Sequence, residues 1–354
     1  MATELGRDYL GNLIIGNTSI KSFDIMPNTF SDMIEMNNTN SVNVRLFNVV
    51  RHINPRNERV ELSVKNNHKD DAYLLVFGGW IPCSFIKKNT LLLADRNVIS
   101  EIASRYNNGK KKKNTPDDAF DSIFLTNKVT LDITTFVLEG NKQKIPDNSM
   151  IDEQVASVKK SLRTALPHLN IAEYPQGNSY YYAFRDSCVD AMEKRIAFLH
   201  KAAPKLNKQF SEKSRSDAVK LIFSFAEECD LKKSDIAVFL ALLRVLMVGK
   251  KNAAQLVLKD SQVYSYADSY NAACDLTAIE ILLNAHRYHV GNNSPYNIAL
   301  ITKDKGLSLF SSLLSNPNIT RAEEGRLKIS TSITTDIFEN DPVSIKVLED
   351  WFLG

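Results

Sequence analysis

The stretch Leu92–Ile102 (LLADRNVISEI) decides the fold of this chain. An apolar run ends in Asp95, and a segment with apolar residues at helical spacing follows at once. Folds of the α/β class place their ligands just beyond the carboxyl ends of buried strands. The stretch therefore predicts a buried strand, a helix and a candidate site where the two meet.

A second segment far downstream repeats this pattern. Ile298–Asp304 (IALITKD) is again an apolar run that ends in a polar residue and an acid. Two strands that each deliver a carboxylate to the same sheet edge suggest a divalent-metal site, because Mg²⁺ and Mn²⁺ prefer hard oxygen ligands.

Composition indicates an ordinary soluble globular protein. The 354 residues carry a net charge of +3, with 44% hydrophobic and 24% charged residues, which is enough chain for two or three domains. The longest apolar runs, such as Ile236–Leu243, are too short to cross a membrane, and residues 1–4 do not begin a secretory signal. The four cysteines are scattered and form no CxxC pair, so we expect a cytoplasmic protein without a zinc site.

Hydrophobic patterning divides the chain into a β-rich N-terminal module at 1–88 and an α/β domain at 89–354. The module has two alternating strands at 42–46 and 60–64, a turn between them at 54–57, and a third candidate strand at 72–80. In the α/β domain we expect strands at 91–94, 298–302 and 327–331, and helices from 98–106, at 269–285 and at 342–352. A helical insertion occupies about 150–265 and contains a buried helix at 236–248.

Four acids stand out by position. Asp95 and Asp304 end apolar runs, Asp275 opens the apolar helical stretch 276–283, and Glu139 closes the apolar, β-branched stretch 129–138. Carboxylates brought together repel one another unless cations neutralise them. With Mg²⁺ bound, such a cluster can support an in-line displacement at phosphorus.

These residues carry a resemblance to a known family. Leu93–Glu101 (LADRNVISE) resembles the opening motif of PIN-domain ribonucleases, in which a strand ends in Asp-x-Asn and a helix follows. Asp275–Ile279 (DLTAI) resembles the third family acid at a helix start, and Leu300–Leu307 (LITKDKGL) resembles the Thr-x-Asp segment after a strand. The match covers roughly 90–145 and 265–335, less than half of the chain. The surroundings of Glu139 match the second family acid only loosely, and its distance from Asp275 is much longer than in compact members.

The resemblance implies a PIN-like, mostly parallel sheet flanked by helices, with the acids at its carboxyl edge. It implies a metal-dependent phosphodiesterase that acts on RNA, or less often on single-stranded DNA. The resemblance makes Asp95, Asp275 and Asp304 the metal ligands and Glu139 a fourth acid of the site. Asn97 and Thr302 would orient the carboxylates or the water. Lys303 and Lys305, beside Asp304, would contact a phosphate. The family's habits also suggest a toxin-like or antiviral role, with a regulatory protein or a second copy of the chain as partner.

Each residue also has a simpler interpretation. Asp95 and Asp275 could cap helices, Asp304 could be a turn acid, and Glu139 could be a surface residue. The basic loop 108–114 is either a flexible solvated segment or a track for a phosphate backbone. Tyr180–Tyr182 could stack bases or pack in a helical core, and we expect His286 and His289 to be structural or surface residues.

The rival function is a catalytically inactive PIN-like scaffold that binds nucleic acid or protein. The presence of Asp95, Asp275 and Asp304 favours the enzyme. A phosphatase of the haloacid dehalogenase type would need a DxD pattern that Asp95-Arg96-Asn97 lacks. The sequence contains no GxSxG, Walker A or GxGxxG motif, so serine-nucleophile, nucleotide-driven and dinucleotide chemistry have no support.

Overall fold

The chain divides into two compact units. The computed structural model describes all residues except 1–4, 9–11, 40, 54–57, 66–71, 119–120, 127–128, 141, 248–251, 260–262, 322–326, 334–337, 339–340 and 354. The first unit consists of Met1–Phe136, Val155–Glu173 and Ile281–Ser332. The second consists of Val137–Gln154, Tyr174–Glu280 and Ile333–Gly354.

The first unit begins with an antiparallel sheet. Its five strands follow one another in space as in sequence: β1 (Leu5–Arg7), β2 (Leu13–Ile15), β3 (Thr18–Met26), β4 (Ser41–Arg51) and β5 (Glu58–Lys65), with helix α1 (Phe30–Thr39) between β3 and β4. In β4, Val42, Val44 and Leu46 are buried, which is the alternation that places one face of a strand on a core. The strands expected at 42–46 and 60–64 are confirmed. The turn expected at 54–57 lies outside the described residues.

The segment 72–80 differs from the single strand that its sequence predicts. It contains β6 (Tyr73–Val76) and the start of β7 (Gly79–Pro82), which pair as an antiparallel hairpin. A Cβ atom at Gly79 would lie 2.2 Å from the carbonyl oxygen of Asn28, so only glycine fits this turn. The hairpin extends the central sheet of the α/β part instead of the N-terminal sheet, and a short 3₁₀ turn (Cys83–Phe85) follows it.

The central sheet is mixed and mostly parallel. Its remaining strands are β8 (Thr90–Ala94), β11 (Thr130–Asp132), β12 (Asn170–Ile171) and β13 (Asn297–Thr302), and the spatial order is β12-β11-β8-β13-β6-β7. Strands β12, β11, β8 and β13 run parallel to one another, and β6 is antiparallel to β13. Leu92, Leu93 and Ala94 are all buried, as expected for a parallel strand covered on both faces. The α/β class and the strands at 91–94 and 298–302 are confirmed.

Helices flank this sheet. They are α2 (Arg96–Arg105), α3 (Asp121–Thr126), α4 (Thr134–Glu139), α5 (Asn148–Ala165) and α11 (Lys305–Ser312), of which α4 and α5 contribute residues to both units. A two-stranded sheet of β14 (Leu314–Arg321) and β15 (Leu327–Ile333) follows α11. The strand expected at 327–331 is therefore confirmed.

The lysine-rich segment is a tight hairpin and not a flexible loop. Strands β9 (Tyr106–Asn107) and β10 (Lys110–Lys111) pair around a two-residue turn. Asn108 and Gly109 both have positive φ angles, of 47° and 77°. Turns of this type favour Asn-Gly because both central residues must adopt the left-handed conformation.

The second unit is built from helices. They are α6 (Ser179–Leu206), α7 (Glu212–Glu228), α8 (Ile236–Leu246), α9 (Ala253–Leu258), most of α10 (Tyr266–Gly291) and α12 (Pro342–Leu353). Every residue of α8 after Ile236 is buried, which confirms the buried helix expected from its apolar sequence. Within the described part of the chain, no helix has the length and apolar character needed to cross a membrane.

A buried ion cluster joins three helices of the second unit. Arg195 on α6, with 4% of its side chain exposed, donates from Nε and Nη2 to Asp235 at 3.0 and 2.8 Å. The same guanidinium donates to both Glu280 oxygens at 2.6 Å. Asp235 also accepts from the backbone N–H of Ala237, so it caps α8. One buried cation thus fixes α6, α10 and the start of α8.

Replacement of this arginine tests how far the second unit depends on it. Arg195→Met should lower the free energy of unfolding by about 3 kcal/mol, because removing this partner leaves the largely buried Asp235 carboxylate without compensation. Urea denaturation measures the change. Lys201→Met on the same helix removes the exposed pair Lys201–Glu228 and should leave the midpoint unchanged. Equal midpoints for both variants would refute a structural role for the cluster.

Candidate functional site

Asp95 lies where strand β8 passes into helix α2. Its Oδ1 accepts from the backbone N–H of Val98 at 2.8 Å, so the side chain caps α2. Its Oδ2 accepts from the hydroxyl of Thr302 at 2.5 Å. Only 9% of the residue is exposed. The carboxylate is therefore held at the carboxyl edge of the sheet by backbone N–H groups at the start of α2 and by the Thr302 hydroxyl.

Thr302 connects this acid to the second one. Its hydroxyl donates to Asp95 and accepts from the backbone N–H of Asp304 at 2.9 Å. Asp304 in turn accepts from the N–H of Leu307 at 2.9 Å and caps α11. The ends of two adjacent parallel strands are therefore joined through a single buried hydroxyl, with one aspartate on each strand end.

The electrostatics of this pair are unfavourable without a cation. Burial raises the pKa of Asp95 from 3.8 to about 6, although hydrogen bonds from Thr302 and Val98 favour the charged form. The negative charge of Asp304 adds to the increase. Asp95 is thus a buried carboxylate next to another carboxylate, and a bound cation would relieve both effects.

The other two predicted acids belong to the second unit. Glu139 is the last residue of α4 and half-buried. Asp275 is half-buried in the interior of α10, which begins at Tyr266. The expectation that Asp275 starts a helix is wrong, and the interpretation of this residue as an N-cap is wrong for the same reason.

The polar residues beside the acids differ in what they contact. Thr302 orients Asp95, as expected. Asn97 has an exposed side chain and acts on Asp95 through its backbone N–H. Lys303 is bonded to Glu101 and Asp118 at 3.1 and 2.8 Å, so its charge is already balanced. Lys305 is exposed at the first residue of α11 and is the better placed of the two lysines to contact a phosphate.

The sequence analysis missed a third acid at this edge. Asp132 ends β11, next to β8, and is 3% exposed. Its Oδ1 accepts from the backbone N–H of Thr134 at 2.8 Å and from the Thr134 hydroxyl at 2.6 Å. The signal was present, because Val129-Thr130-Leu131-Asp132 is also an apolar run that ends in an acid before a helix. It was hidden within a longer β-branched stretch.

The carboxylates of Asp95 and Asp304 suit a weakly bound hard cation better than a site in which protein side chains supply every ligand. In the part of the chain that the structure describes, no group of three or more His, Cys, Asp and Glu side chains is close enough to hold a metal ion. Mg²⁺ commonly binds through one or two carboxylates and takes its other ligands from water and substrate phosphates. Asp95 and Asp304 satisfy that lesser requirement.

The aromatic residues considered as base-stacking candidates pack internally. Tyr181 is 2% exposed, and Tyr180 stacks on Tyr174 with ring centroids 3.5 Å apart. In the first unit, His286 stacks on Phe77 at 4.2 Å. These contacts support the structural interpretation of the Tyr180–Tyr182 run and of His286.

Comparison with known proteins adds no constraint. The chain matches no protein-family model, no curated protein and no solved structure. The resemblance to PIN-domain ribonucleases therefore depends on the quoted motifs alone.

The raised pKa of Asp95 predicts a pH-dependent stability. The folded chain keeps this proton to a higher pH than the unfolded chain, so the stability contributed by Asp95 falls as pH rises from about 4 to about 6. Asp95→Asn removes that loss and keeps a good capping residue. Urea titrations in EDTA should show that Asp95→Asn gains stability relative to wild type over this pH range, by on the order of 2 kcal/mol at its upper end. Glu153→Gln, at an exposed position, should follow the wild-type pH profile, and a parallel profile for Asp95→Asn would contradict the assignment.

The role of the Thr302 hydroxyl can be tested separately. Thr302→Val keeps the shape but removes the partner of Asp95 Oδ2 and of the N–H of Asp304, so the free energy of unfolding should fall by about 1–3 kcal/mol. Thr302→Ser should recover most of it. The matched control is Thr277→Val, because the buried Thr277 hydroxyl contacts only the helical carbonyl of Ala273 in its own turn. An equally large loss of free energy of unfolding for Thr277→Val would mean that the bond to Asp95 stabilises the fold no more than the bond of an ordinary buried hydroxyl does.

Proposed function

We propose that this protein is a metal-dependent phosphodiesterase that cleaves single-stranded RNA. The observation that carries the proposal is the Asp95–Asp304 pair, held by Thr302 at the carboxyl ends of β8 and β13. Ligands of α/β proteins bind at this edge of the sheet. Two carboxylates of this kind suit a cation whose remaining ligands are water and phosphate oxygens.

Asp95 and Asp304 would hold Mg²⁺ or Mn²⁺. A bound cation supplies positive charge that stabilises the phosphate in its transition state and lowers the pKa of water. Hydrolysis adds a water oxygen to phosphorus and breaks the bond to the 3′ oxygen. Thr302 donates to the Asp95 carboxylate and accepts from the backbone N–H of Asp304, so it fixes the orientation of the Asp95 carboxylate. The exposed Lys305 would meet a substrate phosphate.

Glu139 and Asp275 enter the proposal through the family resemblance. The half-buried position of each side chain is compatible with a ligand role. Their variants therefore belong in the same experiment as those of Asp95 and Asp304, where they decide whether the functional site includes two acids or four.

One observation favours the rival function, a PIN-like binding scaffold. Asp95 and Asp304 each cap a helix, and this structural role alone would account for both residues. A capping aspartate that follows no strand of the central sheet is therefore the control that separates the two functions. Asp147 serves this purpose, because it is exposed and accepts from the backbone N–H of Met150 at 2.9 Å.

The deciding experiment is cleavage of labelled single-stranded RNA and DNA in Mg²⁺, Mn²⁺ or EDTA. We expect RNA cleavage that requires metal and that falls by about 100-fold or more in Asp95→Asn and Asp304→Asn. Thr302→Val should lose about 10–100-fold, as expected for a residue that orients a metal ligand. Asp147→Asn should cut at the wild-type rate.

Two outcomes would reject the enzyme. The first is an absence of cleavage of either polymer in every metal, and the second is equal cleavage by wild type and Asp95→Asn. Loss of activity in Glu139→Gln or Asp275→Asn would add that acid to the site, and wild-type activity would remove it.

A further inference from the structure

The hairpin formed by β9, the Asn108–Gly109 turn and β10 continues into Lys112 and Lys113, and we call Tyr106–Lys113 the lysine hairpin. Its turn is docked on the end of α5. The backbone N–H groups of Asn108 and Gly109 donate to the carbonyls of Thr164 and Ala165, each at 2.9 Å. These are carbonyls of the last helical turn, which have no partner within a helix. The turn and the helix end therefore hold each other in place.

Two of its four lysines complete this anchoring. Lys111 pairs with Asp117 and with Asp121. Lys112 donates from Nζ to the carbonyl of Ser104 at 2.6 Å, at the end of α2, a common role for lysine at a helix C-terminus. The base of the hairpin is fixed further by Arg105, which bonds Asp121 at 2.8 Å. The hairpin is thus a rigid element, fastened to two helices.

The remaining lysines have exposed side chains. Lys110 and Lys113 extend from the hairpin into solvent. Two exposed basic residues on α5, Lys160 and Arg163, lie within the last two turns of the helix on which the hairpin is docked, and Arg163 pairs with the exposed Glu173 at 3.6 Å. Exposed positive charge on a rigid support is suited to binding a polyanion, because the support loses little conformational entropy when the polyanion binds.

Helix α2 connects this basic surface to the candidate site. It begins after Asp95 and ends at the hairpin, a length of about 15 Å for ten residues. The exposed positions Asn97, Ser100 and Ser104 follow one another at helical spacing along it. A small polar stripe therefore leads from the acid pair to Lys112, beside Ser104.

We propose that the lysine hairpin anchors the backbone of a single-stranded nucleic acid, several nucleotides away from the phosphate at the Asp95–Asp304 edge. The location of that phosphate depends on the proposed function, whereas binding by the hairpin does not. Lys110 and Lys113 contact backbone phosphates, and the α2 stripe lies under the intervening nucleotides.

Binding of fluorescent single-stranded RNA in EDTA tests this directly. Oligomers of about 16 and about 4 nucleotides bracket the usual site sizes. For the longer oligomer, the double variant Lys110→Gln/Lys113→Gln should bind more weakly. The logarithm of the association constant should also fall less steeply with the logarithm of the salt concentration, by about 1.4 in the magnitude of the slope, since each phosphate contact contributes about 0.7. Between about 50 and about 200 mM salt, the ratio of wild-type to variant affinity should fall about sevenfold. The short oligomer should bind wild type more weakly than the long one, because it cannot extend from the hairpin along the α2 stripe.

The matched control is Lys213→Gln/Lys220→Gln, which removes two exposed lysines from α7 and should leave the slope unchanged. The proposal is overturned if the hairpin variant binds the long oligomer like wild type, or if wild type binds the short oligomer as tightly as the long one. It is also overturned if wild type binds no RNA, in which case an acidic protein becomes the better partner. RNA that is bound through the hairpin but never cut in any metal would leave this proposal standing and reject the nuclease.

Discussion

Parallel pairing of β8 with β13 is the constraint on which the first unit depends. The register matches Leu93 with Leu300 and Ala94 with Ile301, which puts Asp95 beside Thr302, a residue 207 positions away in sequence. Because side chains alternate along a strand, a slip of one residue would turn Asp95 away from that hydroxyl.

Buried charge is treated differently in the two units. In the second unit, Arg195 places a guanidinium between Asp235 and Glu280, so the buried charges compensate one another. In the first unit, Asp95 and Asp304 have the same sign, and the adjacent Lys303 is bonded to Glu101 and Asp118 instead. The uncompensated charge at this sheet edge is what distinguishes it from the other ionic contacts of the fold.

How far the sequence predicts the candidate site depends on the residue. Asp95, Thr302 and Asp304 follow strands with strong apolar runs, and local pattern was enough to locate them. Asp132 ends a strand of only three residues inside a longer β-branched stretch, so the end of that strand could not be recognised. Asp275 was assigned to a helix start through the resemblance to the third family acid, but it already lay inside the helix expected at 269–285, and α10 begins at Tyr266.

Local physical chemistry is therefore sufficient for the α/β class, for the buried strands and for helix α8, whose apolar residues have no alternative to burial. It also accounts for the Asn108–Gly109 turn, where two left-handed residues favour a hairpin, although the surrounding lysines suggested a loop. The partners of each charge were decided only in three dimensions. Whether a lysine is paired or exposed depends on strands and helices that are distant in sequence. Lys303 is bonded to Glu101 and Asp118, whereas the side chain of Lys110 is exposed.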